Sequence, residues 1–185
     1  MKSVAVGAVC AVFSIVTVNG LSNVQSAETK TAPEAIEPCV VMTGADSKNS
    51  KPGYHRITSE KEWARVWQIH KGIKVAKNYN FYYNPLDLPK VDFDRFMVIA
   101  IFRGDGWNSA GLQAVSIAEN KGRFVFRFDE KTYQTAGPDG GGRAVTVYGF
   151  FVIPKSTKDI VFEQNVQGRK NMPPVWKTRA TISSP

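Results

Sequence analysis

Two histidines and two cysteines are the whole supply of imidazole and thiol in this 185-residue chain. Cys39 with His55 or His70 would offer a thiol nucleophile and a base, but nothing in their spacing supports such a pair. No serine sits in a Gly-x-Ser-x-Gly elbow, and there is no His-Glu-x-x-His. Asp92 and Asp94 lie two apart and would share one face of a strand, where two carboxylates hold calcium if further oxygens join them. The rest of a calcium loop is missing, and a turn leading into a strand is the simpler reading. The glycine-rich stretch at 137–142, followed by Arg143, could approach a phosphate. No Lys-Ser/Thr and no helix start follow it, so a hairpin connection is expected. The chain therefore reads as non-catalytic, with no cofactor and no metal.

Binding chemistry has a better candidate. Arg103-Gly104-Asp105-Gly106-Trp107-Asn108-Ser109-Ala110-Gly111 directly follows an apolar run. The glycines permit tight turns with positive φ. A tryptophan on a firmly anchored loop is a common contact residue. The alternative is that Trp107 folds back as a lid on the core. Arg103, Asp105, Trp107, Asn108 and Arg143 are the candidate binding residues, on two loops at 104–111 and 137–143. The Arg-Gly-Asp tripeptide within the first is read as a chance match.

The elements that must position these loops are mostly strands. Residues 96–102 (Phe-Met-Val-Ile-Ala-Ile-Phe) form an apolar run of strand length, read as a central strand buried on both faces. Residues 112–118 predict a strand, and Asn120-Lys121-Gly122 a hairpin turn. After it Phe124, Phe126 and Phe128 alternate with Arg123, Val125 and Arg127, which predicts a half-buried strand with a basic outer face. Further strands are expected at 39–43, 54–57, 144–153 and 160–163, with an edge strand at 178–182. One helix signal stands out. Ser59-Glu60-Lys61-Glu62 matches a capping box, Trp63, Val66, Trp67 and His70 share one face, and Gly72 supplies the stop. His70 is read as a core-edge histidine. Between helix and central strand, residues 73–92 carry Tyr79, Phe81, Tyr82 and Tyr83, either packed over the core or forming a contact surface. This order predicts an α+β fold: an antiparallel sheet with one helix packed on one face, in a single domain.

The N-terminus predicts export. Lys2 precedes an apolar run without charge from residue 4 to 18, shorter than the ~20 residues a membrane-spanning helix needs. Cleavage of a signal peptide is expected after Ser26, and Val9 before Cys10 argues against a lipid anchor. Residues 27–38 read as a flexible leader, 39–166 as the domain and 167–185 as a basic tail. No later segment is apolar enough to span a bilayer. The mature chain would keep Cys39 alone, in a Val-rich strand where a buried, inert thiol is expected. The chain has 24 Lys and Arg against 16 Asp and Glu, a net charge of +8. Residues 121–185 hold eleven of those cations and five of the anions. A solvated basic surface is the simplest account. Weak contact with anionic polymers fits too, and nucleic acid is not an expected partner.

Several motifs fall in a familiar order. Ile57-Thr58-Ser59-Glu60-Lys61-Glu62-Trp63 with Val66-Trp67, then Val91-Asp92-Phe93, Met97-Val98-Ile99-Ala100, the glycines of 104–111 and Phe151-Val152-Ile153-Pro154-Lys155 resemble the PrcB-type C-terminal domain, named for a subunit of a bacterial protease complex. The resemblance covers about residues 54–163. The family's Thr-Gly-Gly-Tyr stretch has its counterpart in Ser109-Ala110-Gly111-Leu112, where Gly111 alone is identical. The resemblance implies an exported, non-catalytic accessory domain and does not imply a protease partner. The leading expectation is an interaction module that docks onto or stabilises another envelope or secreted protein, such as a protease. From other classes, a small secreted hydrolase with an unrecognised site and a loop-presenting, inhibitor-like protein stand as alternatives.

Overall fold

A strand that is apolar on both faces needs a layer on each side, and two strands of this chain are of that kind. In the computed structural model, which describes residues 35–73, 86–136, 140–169 and 171–184, these are β3 (Phe96–Trp107) and β6 (Ala144–Pro154). They pair at the centre of a four-stranded sheet of order β1-β6-β3-β2, with β1 (Val40–Gly44) and β2 (Gly53–Ile57) at its edges. Met97, Ile99 and Ile101 of β3 face one core, and Val98, Ala100 and Phe102 face another. The first core is closed by a second sheet of order β4-β5-β7-β8. It comprises β4 (Ser109–Asn120), β5 (Arg123–Thr132), β7 (Ile160–Asn165) and β8 (Trp176–Ile182). Phe124, Phe126, Phe128 and Phe162 supply its inner side. The second core is closed by α1 (Glu60–Lys71), through Trp63, Val66 and Trp67.

The molecule is thus α+β, with its helix on one face of a mostly antiparallel sheet. The expectation of a single sheet needs correction: among the described residues there are two, and the helix covers the outer face of one. β5 and β7 run parallel, because the chain between them crosses to the other sheet as β6.

The helix forms as its sequence requires. Ser59 Oγ accepts from Glu62 N at 3.3 Å, and Glu62 Oε2 accepts from Thr58 N at 3.3 Å. At the other end Gly72 adopts φ 67°, and Ile73 N donates to Gln68 O at 3.0 Å. The β4–β5 hairpin turns on Lys121 and Gly122, both at positive φ, the two-residue form that suits twisted strands. The predicted tail is partly sheet, since β8 pairs antiparallel with β7 over Trp176–Ile182. Arg56 ties that strand down: its guanidinium donates to Ser183 O at 3.3 Å and to Lys158 O.

Two expectations about the N-terminal half change. The last residues of the predicted flexible leader are held, for Ala35 bridges Ala118 and Ile36 N donates to Ile117 O at 2.7 Å. Ile36 packs on the inter-sheet core, which is why the chain settles there. Cys39 is exposed, not buried. It precedes an edge strand whose first two residues, Val40 and Val41, are each 49 % exposed. Asp92 forms the expected turn into β3, accepting from Asp94 N through Oδ1 at 3.1 Å. The signal segment, the aromatic stretch around Tyr79, Phe81, Tyr82 and Tyr83, and residues 137–139 lie outside the described residues. Among the described residues no helix is long and apolar enough to cross a membrane.

Candidate functional site

The predicted loop at 104–111 is not a loop. β3 continues through it, with a bulge between Phe102 and Gly104, and pairs Gly104 with Val147, Asp105 with Thr146, Gly106 with Val145 and Trp107 with Ala144. The glycine at 104 serves a close approach: an added Cβ would lie 2.6 Å from Ser50 O, at φ 77°. The chain then passes from one sheet to the other through Asn108 alone, at φ 54°, a left-handed conformation that asparagine tolerates better than most residues.

Asn108 is a structural knot. Its N–H donates to Arg143 O at 2.9 Å, its Oδ1 accepts from Arg143 N at 2.7 Å, and its carbonyl accepts from Tyr133 N at 2.8 Å. These bonds bring the two glycine-rich stretches side by side at one end of the molecule. Arg103 is also committed internally. Its Nε lies 3.4 Å from Glu130 Oε2 on β5, joining the two sheets. The Tyr54 hydroxyl, raised in pKa by burial, is pulled partly back down by the same guanidinium.

Asp105, Trp107 and Arg143 remain open. Trp107 is 66 % exposed, so it is no lid on the core. Gly142 backs its ring: a Cβ there would stand 3.1 Å from Trp107 Cε3. Beside the ring lies a groove of about 580 Å³ lined by Asp46, Lys48, Asp105, Arg143 and Thr146. Thr146 Oγ1 donates to Asp105 Oδ1 at 3.2 Å, which fixes the carboxylate. Asp46 and Lys48 come from the turn-rich segment after β1, which composition marks as a loop without marking it as part of a site. Backbone bonds seat them: Ser47 N donates to Thr146 O at 3.1 Å and Lys48 N to His70 O at 2.8 Å.

Under the groove His70 is 4 % exposed, packed among Trp67, Tyr148 and Phe150. Its Nδ1 shares a hydrogen bond with Ser47 Oγ at 3.1 Å. Burial, helped by Lys71 and opposed by Asp46, lowers its pKa from 6.5 to about 4. A hydroxyl–imidazole pair with so weak a base is better suited to holding the 45–48 segment on the helix end than to activating Ser47. His70 binds its proton more weakly folded than unfolded, so its contribution to stability is complete above pH 6.5 and fades as pH falls toward about 4. We expect the wild type to lose ~2–3 kcal/mol across that window from this group. His70→Gln should flatten that part of the curve, and urea melts of both proteins at pH 4.5 and 7 decide it. Parallel pH curves for the two would remove His70 as the cause.

Cys39 and His70 are far apart. Cys39 N donates to Val152 O, whereas His70 packs on Tyr148. Four residues of strand separate those partners, about 13 Å. His55 lies on β2, edge-on to Phe102. Among the described residues no three His, Cys, Asp or Glu side chains group as metal ligands would. A larger apolar hollow of about 770 Å³ runs between α1 and residues 86–93. No site is assigned to it.

Comparison with models of protein families, with curated proteins and with solved structures finds nothing that matches this chain. The reading of the site rests on its own residues.

Proposed function

We propose that this is an exported, non-catalytic interaction module that docks onto a partner in the envelope or extracellular space through the end of the molecule carrying Trp107. One observation carries the reading: a tryptophan 66 % exposed stands where two glycine-rich stretches are locked together by Asn108 and Arg143. Leaving a large ring in water while Phe102, Phe150 and Phe151 of β3 and β6 are buried fits a surface kept for contact. The charge-free run after Lys2 supports export. The PrcB-type resemblance supports an accessory role, a protease complex being one setting for it. A protruding inhibitor loop is not favoured, because residues 104–107 are paired strand.

Trp107→Ala tests the docking end. Its ring is mostly in water, so stability should change by less than about 1 kcal/mol. Affinity for a partner recovered from the envelope fraction should weaken by ~2 kcal/mol or more, about thirtyfold. Calorimetry and a thermal melt on the one variant measure both. A large loss of stability with unchanged affinity would end the assignment.

A further inference from the structure

We propose that the groove beside Trp107 binds a sugar chain, stacking one sugar ring on the indole and bonding its hydroxyls to Asp46, Lys48, Asp105 and Arg143. This rests on the docking end assigned above and names the chemistry of what docks there. The volume of about 580 Å³ falls within the usual range of small-ligand sites, roughly 300–1,000 Å³.

The lining separates a sugar from the other candidates. The core of a protein–protein contact is apolar and depleted in Lys and Asp. Here Trp107 and Val145 are the only large apolar side chains among the described residues of the lining, and two carboxylates face two cations. That balance also disfavours a polyanion, which the carboxylates would repel. An extended peptide would need a free strand edge. At the floor of the groove the backbone is already used: Thr146 N donates to Ala45 O at 3.0 Å, and Thr146 O accepts from Ser47 N. A neutral sugar suits what remains. It presents an apolar C–H face and a rim of hydroxyls that are both donors and acceptors. Tryptophan takes the first, and carboxylates with ammonium and guanidinium groups take the second. The hydrogen bond from Thr146 Oγ1 holds Asp105 in place before any ligand arrives, which reduces the ordering cost of binding.

The test uses two probes, the linear tetrasaccharides of β-1,4-linked N-acetylglucosamine and of β-1,4-linked glucose. Of the four tryptophans, Trp63 and Trp67 are buried and Trp176 is half-buried. Emission from the exposed Trp107 should therefore dominate any response. Titration of the wild type should shift that emission with a Kd on the order of 1 mM or tighter for at least one probe. Calorimetry should find the affinity at least about tenfold weaker in Trp107→Ala and within a few-fold of wild type in Trp107→Phe. Thermal melts of both variants confirm that they are folded. No response to either probe up to about 10 mM, or equal affinity in Trp107→Ala, overturns the sugar assignment. A protein partner whose affinity falls in Trp107→Ala, with no response to sugar, overturns it too and leaves the docking end standing.

Discussion

Trp67→Ala is expected to lower the unfolding free energy by ~3–5 kcal/mol, the range for a buried aromatic cut back to a methyl. Three separate losses combine at this position. The ring is 7 % exposed and packs against Trp63 at 5.3 Å and Phe150 at 5.8 Å between centroids, so its removal opens a cavity between α1 and the sheet. Its Nε1 donates to Leu86 O at 2.7 Å, and that buried carbonyl would lose its donor. Lys71 Nζ stands 5.0 Å over the ring, a cation–π contact of modest worth at the surface. Urea unfolding monitored by far-ultraviolet circular dichroism gives the difference. A loss below about 1 kcal/mol, a surface-like value, would mean that the helix does not close this core.

The second large effect is expected where the two sheets touch. Gly111, at φ 124°, lies against β1 of the other sheet, and an added Cβ would stand 3.0 Å from Gly44 N and closer still to Thr43 Oγ1. Leu112 N donates to Thr43 Oγ1 at 3.2 Å, so the same side chain that would be struck holds the junction. Gly111→Ala adds backbone strain of ~1–3 kcal/mol to an overpacking cost of ~1–3 kcal/mol, and a loss of about 2–5 kcal/mol should result. Gly122→Ala is the control. It has φ 75° and open space around it, and it should show the strain alone. If the two variants lose equal stability, contact between β1 and β4 contributes nothing measurable.

Much of this architecture is legible in the chain. The capping box at Ser59, the stripe of Trp63, Val66 and Trp67 and the stop at Gly72 dictate α1, because caps and apolar period are local properties. The alternation of Phe124, Phe126 and Phe128 likewise dictates β5. The second sheet was less legible. Residues 96–102 signal burial on both faces, but a run of apolar residues does not say whether helix or sheet covers each side. The glycines at 104 and 111 mislead for a related reason. They look like loop formers, yet they relieve close approaches to Ser50 and Gly44, contacts visible only once distant segments meet. Of the five candidate site residues, Asp105, Trp107 and Arg143 face the groove, while Arg103 and Asn108 are bound into the frame. Asp46 and Lys48 carry no local signal, since the backbone bonds that bring them to the groove come from Thr146 and His70.

The pairing of β1 has a consequence for how the molecule is made. Val40 finds its partner at Val152, more than a hundred residues later, and the second sheet is not closed until Trp176 to Ile182 pair with β7. A chain synthesised from its N-terminus has its first sheet complete only when β6 emerges, and its second only when β8 does. Such long-range closure slows folding, because loop entropy is lost before the contacts that reward it are made. For the export proposed above, this order of strands favours a precursor that stays open until passage is under way.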